Sequence, residues 1–126
     1  MSTMKKVLVI EDDPVLSETL ILNLEHDGFE TLHAKDGEEG LALALSAKPD
    51  LILLDIILPK IDGLTMLDTL RKTEGGQHIP VIVLSNLSEL PEVVAAMEGG
   101  VRDYLVKVDW QIEDVIKKVR EKLKLS

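Results

Sequence analysis

Five short apolar runs, separated by amphipathic segments of helical length, constrain the fold of this 126-residue chain more than any other feature. Continuous apolar runs are typical of strands that are buried on both faces, as in a parallel sheet. Parallel strands need a crossover between them, usually a helix, so strands and helices are predicted to alternate. The predicted strands are 6–10, 29–34, 51–54, 81–84 and 104–106, and the predicted helices are 14–26, 36–47, 64–72, 89–97 and 110–123.

This alternation predicts an α/β domain in which five βα units form a doubly wound parallel sheet with helices on both faces. The run 51–54 is the most apolar, so we expect it at the centre of the sheet. The more polar run 29–34 is expected at an edge. Pro14 is favoured at the first position of a helix, which makes Asp13 a candidate N-cap of the first helix.

Size and composition exclude several classes of protein. The length suits one domain, so residues 1–126 are expected to form a single domain. The absence of cysteine excludes disulfides and thiolate metal sites and suits a cytoplasmic protein. The apolar run 7–10 is too short for a signal peptide or a membrane span, so we expect a soluble protein that does not bind membranes. The three histidines lie on separate predicted elements, without the spacing of metal ligands: His26, His33 and His78.

Charge argues against direct binding of nucleic acid. The chain has 14 Lys and Arg against 23 Asp and Glu, which gives a formal net charge of −9. Nucleic-acid-binding proteins usually gather basic residues on one face, whereas here they are scattered or confined to the last predicted helix. An acidic surface favours solubility first and indicates little about partners.

Polar side chains follow the predicted strands directly: Glu11 and Asp12 after the first, Asp55 after the third, Ser85 after the fourth and Lys107 after the fifth. The carboxyl ends of parallel strands share one edge, where ligands of such sheets bind. Carboxylates gathered there repel one another, and Mg²⁺, which prefers oxygen ligands, relieves that repulsion. An aspartate beside such an ion can act as a nucleophile that forms an acyl phosphate. A hydroxyl and an ammonium group can stabilise the transferred phosphoryl group.

Four segments resemble the motifs of response-regulator receiver domains of two-component signalling. Residues 7–14 (VLVIEDDP) resemble the opening of these domains, and 49–59 (PDLILLDIILP) with 62–63 resemble their phosphorylation segment. Residues 81–86 resemble their Ser/Thr strand, and 103–107 their lysine strand. The motifs occur in the family's order over essentially the whole chain. The resemblance implies a flavodoxin-like (βα)5 fold with five parallel strands in the order 2-1-3-4-5.

The resemblance also implies a role for each matching acidic residue. Asp55 is the expected phosphoacceptor, which takes a phosphoryl group from a phosphohistidine of a sensor histidine kinase or a phosphotransfer protein. Asp12 is expected to bind Mg²⁺ directly and Glu11 through water. Asp55 and the backbone carbonyl of Ile57 are expected to complete the protein ligands.

A switch is implied at the same edge of the sheet. Ser85 and Lys107 are expected to contact the phosphoryl group, and Tyr104 matches an aromatic residue that turns inward in the family. Phosphorylation adds a charge of roughly −1.5 to −2, which is expected to change the face formed by the fourth helix, fifth strand and last helix. The expected partners on that face are a target protein, an output domain or a second copy of the chain. The chain is expected to catalyse only its own phosphorylation and dephosphorylation, and so not to be an enzyme in the ordinary sense.

Two departures from the family pattern lead to further expectations. Ile57 and Leu87 are apolar where a polar side chain would position the hydrolytic water, so we expect slow dephosphorylation. Val108 follows the lysine where the family usually has a proline joined by a cis bond. A cis bond before a non-proline residue costs about 2.5–4 kcal/mol, so we expect a trans bond. Asp109 is then a candidate N-cap of the last helix.

Three other functions share parts of this pattern. A hydrolase of the haloacid-dehalogenase type needs a second aspartate two residues after the first, where this chain has Ile57. A flavodoxin-type electron carrier must cradle a phosphate in its first loop, which the acids at 11–13 would repel. A receiver-like interaction module that is not phosphorylated remains the open alternative. A response to acetyl phosphate or beryllofluoride with Mg²⁺ distinguishes it from a phosphoacceptor.

Overall fold

The computed structural model describes residues 5–55, 63–85, 103–106 and 111–123, and the predicted helix at 89–97 lies outside them. From the first strand to the fourth, strands and helices alternate, and the five described strands pair in parallel, which confirms the predicted parallel α/β architecture. No helix in these ranges combines the length and the apolar composition needed to cross a bilayer. The strands are β1 (Lys6–Ile10), β2 (Glu30–Ala34), β3 (Leu51–Asp55), β4 (Val81–Ser85) and β5 (Asp103–Val106), and the helices are α1 (Pro14–His26), α2 (Gly37–Ala47), α3 (Gly63–Lys72) and α4 (Ile112–Lys122).

The strands form one parallel sheet in the order β2-β1-β3-β4-β5, which is the order that the resemblance implied. β3 lies at the centre, and all of its residues are buried, as its uninterrupted apolar run predicted. β2 lies at an edge and is only partly buried along most of its length, as its more polar sequence predicted. Both placements are therefore confirmed.

The core consists of two clusters, one on each face of the sheet, because successive residues of a strand point to opposite faces. Leu8 and Ile52 belong to the cluster that packs against α2 and α3. Val9 and Leu53 belong to the cluster that packs against α1 and α4. The described helices thus cover both faces, as predicted. Their buried residues are Ala44, Met66, Leu67 and Leu70 on the first face and Leu20, Leu24, Val115 and Val119 on the second.

The start of α1 confirms the predicted N-cap. Asp13 is the N-cap, and its Oδ1 accepts hydrogen bonds from the backbone N–H groups of Val15 at 3.0 Å and Leu16 at 3.4 Å. Pro14 occupies the first helical position, where no N–H is needed. Gly28 follows the helix with a φ of +93°, a left-handed conformation that glycine adopts without strain. The first helix therefore begins where the sequence predicted.

The start of the last helix was predicted wrongly. The helix was expected to begin at Trp110, with Asp109 as a candidate cap. It begins at Ile112 with Gln111 as the N-cap, and the carboxylate of Asp114 accepts a hydrogen bond from the N–H of Gln111 at 2.9 Å. This contact satisfies a backbone donor at the helix start and fixes the first turn two residues later than predicted.

Gly40 allows α2 to lie unusually close to β1. A Cβ atom at this position would stand 2.6 Å from Cδ1 of Ile10 and 3.1 Å from its Cγ1 and Cγ2. The side chain of Ile10 is buried and belongs to the core cluster between the sheet and α2. Since Ile10 directly precedes Glu11, this close packing also holds the chain just before the first acidic residue.

Gly40→Ala is expected to destabilise the fold. Overpacking a core costs about 1–3 kcal/mol, and the gain in helix propensity of about 1 kcal/mol offsets only part of it. Urea unfolding followed by circular dichroism measures the change. Ile10→Val removes Cδ1, so Gly40→Ala should cost less in that background. An equal cost in both backgrounds would contradict the proposed contact.

Candidate functional site

The carboxylates of Glu11, Asp12 and Asp55 meet at the carboxyl edge of the sheet. One oxygen atom of each residue lies within 4.8 Å of the other two. Glu11 and Asp12 follow β1, and Asp55 is the last residue of β3. The structure thus brings together the three acids that the sequence placed at the strand ends, and we call them the acid cluster.

The register of the two strands explains this meeting. β1 pairs with β3 in parallel, and Ile10 lies opposite Leu54. Glu11 and Asp55 each come one residue later, so they leave their strands at the same level. If one strand shifted by one residue against the other, its acid would turn to the opposite face of the sheet, away from the acid of its neighbour. The acid cluster therefore depends on the pairing of β1 with β3.

The acid cluster is largely shielded from solvent. Glu11 is only 1% exposed and Asp55 only 5%, whereas Asp12 is exposed. Nearby like charges repel more strongly in such surroundings than in water, because the protein screens them less. A divalent cation would remove this repulsion, and Asp12 would form the side of the site that faces solvent.

The donor set fits Mg²⁺. This ion takes oxygen ligands at about 2.0–2.1 Å in octahedral geometry, so neighbouring ligand oxygens stand roughly 3–4 Å apart. The spacing of up to 4.8 Å within the acid cluster is close to this range. Mg²⁺ also keeps several waters and often shares its coordination sphere with phosphate oxygens. Three carboxylates at an edge with one exposed member suit that mode of binding.

The loop that carries the first two acids (residues 11–13, the acidic loop) is held on two sides. Toward α1, Oε2 of Glu11 accepts a hydrogen bond from the N–H of Asp13 at 3.2 Å, and Asp13 itself caps the helix. Toward β2, Nε2 of His33 contacts the main-chain oxygen of Glu11 at 2.9 Å. The sequence excluded His33 as a metal ligand and indicated no other role for it. Its contact spans 22 residues and depends on strand pairing, which no local motif reports.

The remaining predicted site residues are described only in part. Ser85 ends β4 and follows Leu84, which pairs with Asp55, so its backbone lies one position beyond Asp55 on the neighbouring strand. Tyr104 lies in β5, opposite Val83. The side chains of these two residues lie outside the described part of the structure, as do the whole residues Ile57, Leu87, Lys107 and Val108.

A basic cavity of about 380 Å³ lies at the opposite edge of the sheet, beside Val81 at the start of β4. Arg71, His78 and Lys122 line it. Burial lowers the pKa of the Arg71 guanidinium from its ordinary value, and its Nη1 donates a hydrogen bond to the carbonyl of Gly76 at 3.0 Å. This cavity is therefore separate from the acid cluster and differs from it in charge.

A scan of protein families matches residues 7–120 of this chain to the response regulator receiver domain. The match includes the acid cluster and all the described strands except the first residue of β1. It therefore covers both the fold and the candidate site.

Curated relatives are about twice as long as the matched region. The DNA-binding dual master transcriptional regulator RpaA of Synechocystis sp. (strain PCC 6803) is 39% identical over 121 residues, which cover 96% of this chain and 50% of RpaA. The DNA-binding response regulator MtrA of Mycolicibacterium smegmatis is 34% identical over 125 residues, which cover 98% of this chain and 53% of MtrA. This chain thus spans about half the length of these relatives.

Solved structures agree with the fold over nearly the whole chain. The receiver domain of Francisella response regulator 1452 has a TM-score of 0.87 and 33% identity, and the match covers 95% of this chain and 97% of that one. A CheY-like response regulator receiver domain protein from Methanospirillum hungatei JF-1 has a TM-score of 0.90 and 27% identity, with 97% and 95% of the two chains covered.

Asp12→Asn is expected to stabilise the protein when no divalent cation is present. Removing one of three like charges at this spacing should raise the free energy of unfolding by about 1 kcal/mol at the solvent-exposed side of the site. Urea unfolding in EDTA measures the change. With excess Mg²⁺, the wild type should gain more stability than the variant, because ligand binding stabilises the folded state.

Glu18→Gln is the matched control for this prediction. Glu18 is exposed on α1, outside the acid cluster, and its replacement changes the net charge by the same amount. An equal stabilisation by both substitutions would mean that the overall negative charge is responsible, and not repulsion within the acid cluster.

Proposed function

Since the chain belongs to the response-regulator receiver family, we propose that it is a phosphoacceptor in two-component signalling and takes a phosphoryl group onto Asp55 with the help of Mg²⁺. One observation supports this most directly: Asp55 ends the central strand, with a carboxylate oxygen within 4.8 Å of those of Glu11 and Asp12. Receiver domains are signalling domains, so in this proposal the chain acts only on its own phosphorylation state.

The proposed reaction begins at a carboxylate oxygen of Asp55. This oxygen attacks the phosphorus atom of a phosphohistidine; a P–O bond forms, the P–N bond breaks, and the leaving imidazole keeps the electron pair and takes up a proton. The product is an acyl phosphate on Asp55. Because Asp55 is 5% exposed, the donor has to approach from the open edge of the sheet.

Metal binding is assigned to residues around this aspartate. Asp12 would bind Mg²⁺ directly, Glu11 through water, and Asp55 and the backbone carbonyl of Ile57 would complete the protein ligands. Bound there, Mg²⁺ would offset the negative charges of the carboxylates and of the incoming phosphoryl group. Without such compensation, the acid cluster would repel an anionic donor.

The proposed switch involves Ser85 at the end of β4, Tyr104 in β5 and Lys107, which follows β5 in the sequence. Ser85 would donate a hydrogen bond to a phosphoryl oxygen, Lys107 would balance its charge, and Tyr104 would turn inward. The added charge of roughly −1.5 to −2 is the driving force. A partner then favours the switched conformation only as far as its affinity for the two conformations differs.

The proposed partners follow from this chemistry. A sensor histidine kinase or a phosphotransfer protein would supply the phosphoryl group. A target protein, an output domain or a second copy of the chain would bind the face of the predicted helix 89–97, β5 and α4. The relatives RpaA and MtrA are named as DNA-binding regulators. A DNA-binding output domain is therefore one candidate partner. We propose further that residues 1–126 form a single receiver domain and that the protein acts in the cytoplasm.

Acetyl phosphate with Mg²⁺ is expected to add one phosphoryl group to the protein, and Asp55→Ala is expected to prevent this addition, because the nucleophilic oxygen is lost. Intact-protein mass spectrometry measures the mass gain, and EDTA should abolish it. The same measurement with candidate histidine kinases identifies the physiological donor.

Asp50→Asn is the matched control. Asp50 directly precedes the other end of β3, and its carboxylate accepts a hydrogen bond from the N–H of Lys6 at 2.8 Å. This variant should be phosphorylated like the wild type. A mass gain in Asp55→Ala would contradict the assignment of the acceptor. A wild type that responds to neither acetyl phosphate nor beryllofluoride would favour an interaction module that is not phosphorylated.

The acyl phosphate is expected to be long-lived for a receiver domain. Ile57 and Leu87 provide no polar group to position the hydrolytic water, and Ile57→Asn should therefore speed the loss of phosphate. Mass spectrometry after removal of the donor follows the decay in both proteins. Decay of the wild type within seconds, or no acceleration in the variant, would count against this expectation.

A further inference from the structure

His33 connects the edge strand β2 to the acidic loop. Its Nε2 lies 2.9 Å from the main-chain oxygen of Glu11. Because a carbonyl oxygen only accepts hydrogen bonds, this contact needs a proton on Nε2, which therefore donates. The imidazole is half-buried, so water competes less strongly for the carbonyl than it would at an open surface.

A second hydrogen bond joins Glu11 to β2. The N–H of Glu11 donates to the carbonyl of Ala34 at 3.0 Å, which extends the pairing of β1 with β2 by one step beyond Ile10. β2 ends at Ala34, and the chain turns at Asp36 to begin α2. The side chain of His33 thus contacts the acidic loop at the point where the regular pairing of β1 with β2 ends.

Because the peptide bond is planar, the contact of His33 with the carbonyl of Glu11 also affects the orientation of Asp12. The carbonyl of Glu11 and the N and Cα atoms of Asp12 lie in one plane. A hydrogen bond that holds the carbonyl therefore also orients the start of Asp12. On the other side of Asp12, Asp13 is held by its N–H bond to Glu11 and by its capping of α1. Asp12, the exposed member of the acid cluster, is thus held between two anchored neighbours.

We infer that His33 is a positioning residue for the acid cluster: its Nε2–H orients the Glu11–Asp12 peptide so that the carboxylate of Asp12 meets those of Glu11 and Asp55. This role rests on the proposed function, in which the acid cluster binds Mg²⁺. Groups that orient metal ligands typically change metal affinity by 10–100-fold when they are removed. His33 acts through a main-chain atom, so we expect an effect at the lower end of that range.

Thr31 offers a matched control on the same strand. It lies two residues before His33 and so on the same face of β2. Its hydroxyl donates a hydrogen bond to the carboxylate of Glu25 at 3.0 Å, and it makes no described contact with the acidic loop. Thr31→Val removes one side-chain hydrogen bond of the edge strand, and leaves the described contacts of Glu11 intact.

The experiment measures Mg²⁺ binding to the full chain by isothermal titration calorimetry. His33→Met and His33→Gln form a matched pair, because the two side chains are similar in length and only glutamine has an N–H donor. His33→Met should weaken Mg²⁺ binding by about tenfold. His33→Gln should restore an affinity close to that of the wild type, and Thr31→Val should leave the affinity unchanged.

Urea unfolding of each variant separates positioning from stability. His33→Met and Thr31→Val should lose similar amounts of unfolding free energy, since each loses one side-chain hydrogen bond, but only the first should lose Mg²⁺ affinity. If His33→Met does not fold completely, His33→Val is a second variant without a donor and has high strand propensity.

The outcomes distinguish a failure of the proposed function from a failure of the proposed role of His33. A wild type that does not bind Mg²⁺ would overturn the proposed function, whatever the variants do. A wild type that binds Mg²⁺, an Asp12→Asn variant that binds it poorly and a folded His33→Met variant that binds it normally would overturn only the role of His33. Equal weakening in His33→Gln and His33→Met would also overturn that role, because the donor would then not matter.

Discussion

The parallel pairing of β1 with β3, with Ile10 opposite Leu54, is the constraint on which the candidate site depends. This register sets the level at which Glu11 and Asp55 leave the sheet. It is held by buried side chains, each of which contributes about 1.5–3 kcal/mol when fully buried. Two like charges 4 Å apart repel by about 4 kcal/mol at an effective dielectric constant of about 20, the value that best fits charges in proteins. Several residues on each strand are buried, and together they stabilise this register by more than the repulsion destabilises it. Packing of the core therefore sets the register, and the acids lie close together as a consequence.

Three other elements hold the acidic loop and the end of β1 in place. The acidic loop contacts β2 through His33 and the N–H of Glu11, and it contacts α1 through the capping of Asp13. α2 packs closely on the last residue of β1 because Gly40 has no side chain. The edge strand and the start of α1 thus contact the loop, and α2 packs on the residue before it, although none of these elements contributes a residue to the acid cluster. A site on a loop gains rigidity from such contacts with regular elements.

Much of the fold was predictable because its causes are local. Uninterrupted apolar runs predicted buried parallel strands, and the most apolar of them proved to be the central strand β3. Asp13 and Pro14 predicted the start of α1, since capping depends on neighbours in sequence. The start of α4 was predicted wrongly, because Asp114 reaches back to the N–H of Gln111 and no simple motif placed that contact.

The sequence by itself determined that acids follow the first and third strands and that the chain has the motifs of a receiver domain. These features can be predicted from the sequence because they depend on the identity of each residue and on apolar patterns among neighbours in the chain. Only the tertiary structure decided that one oxygen of each acid lies within 4.8 Å of the others. It alone revealed the contact of His33 with the main chain of Glu11, which joins residues 22 positions apart. Such contacts depend on which strands pair and in which register, and these are properties of the packed sheet as a whole.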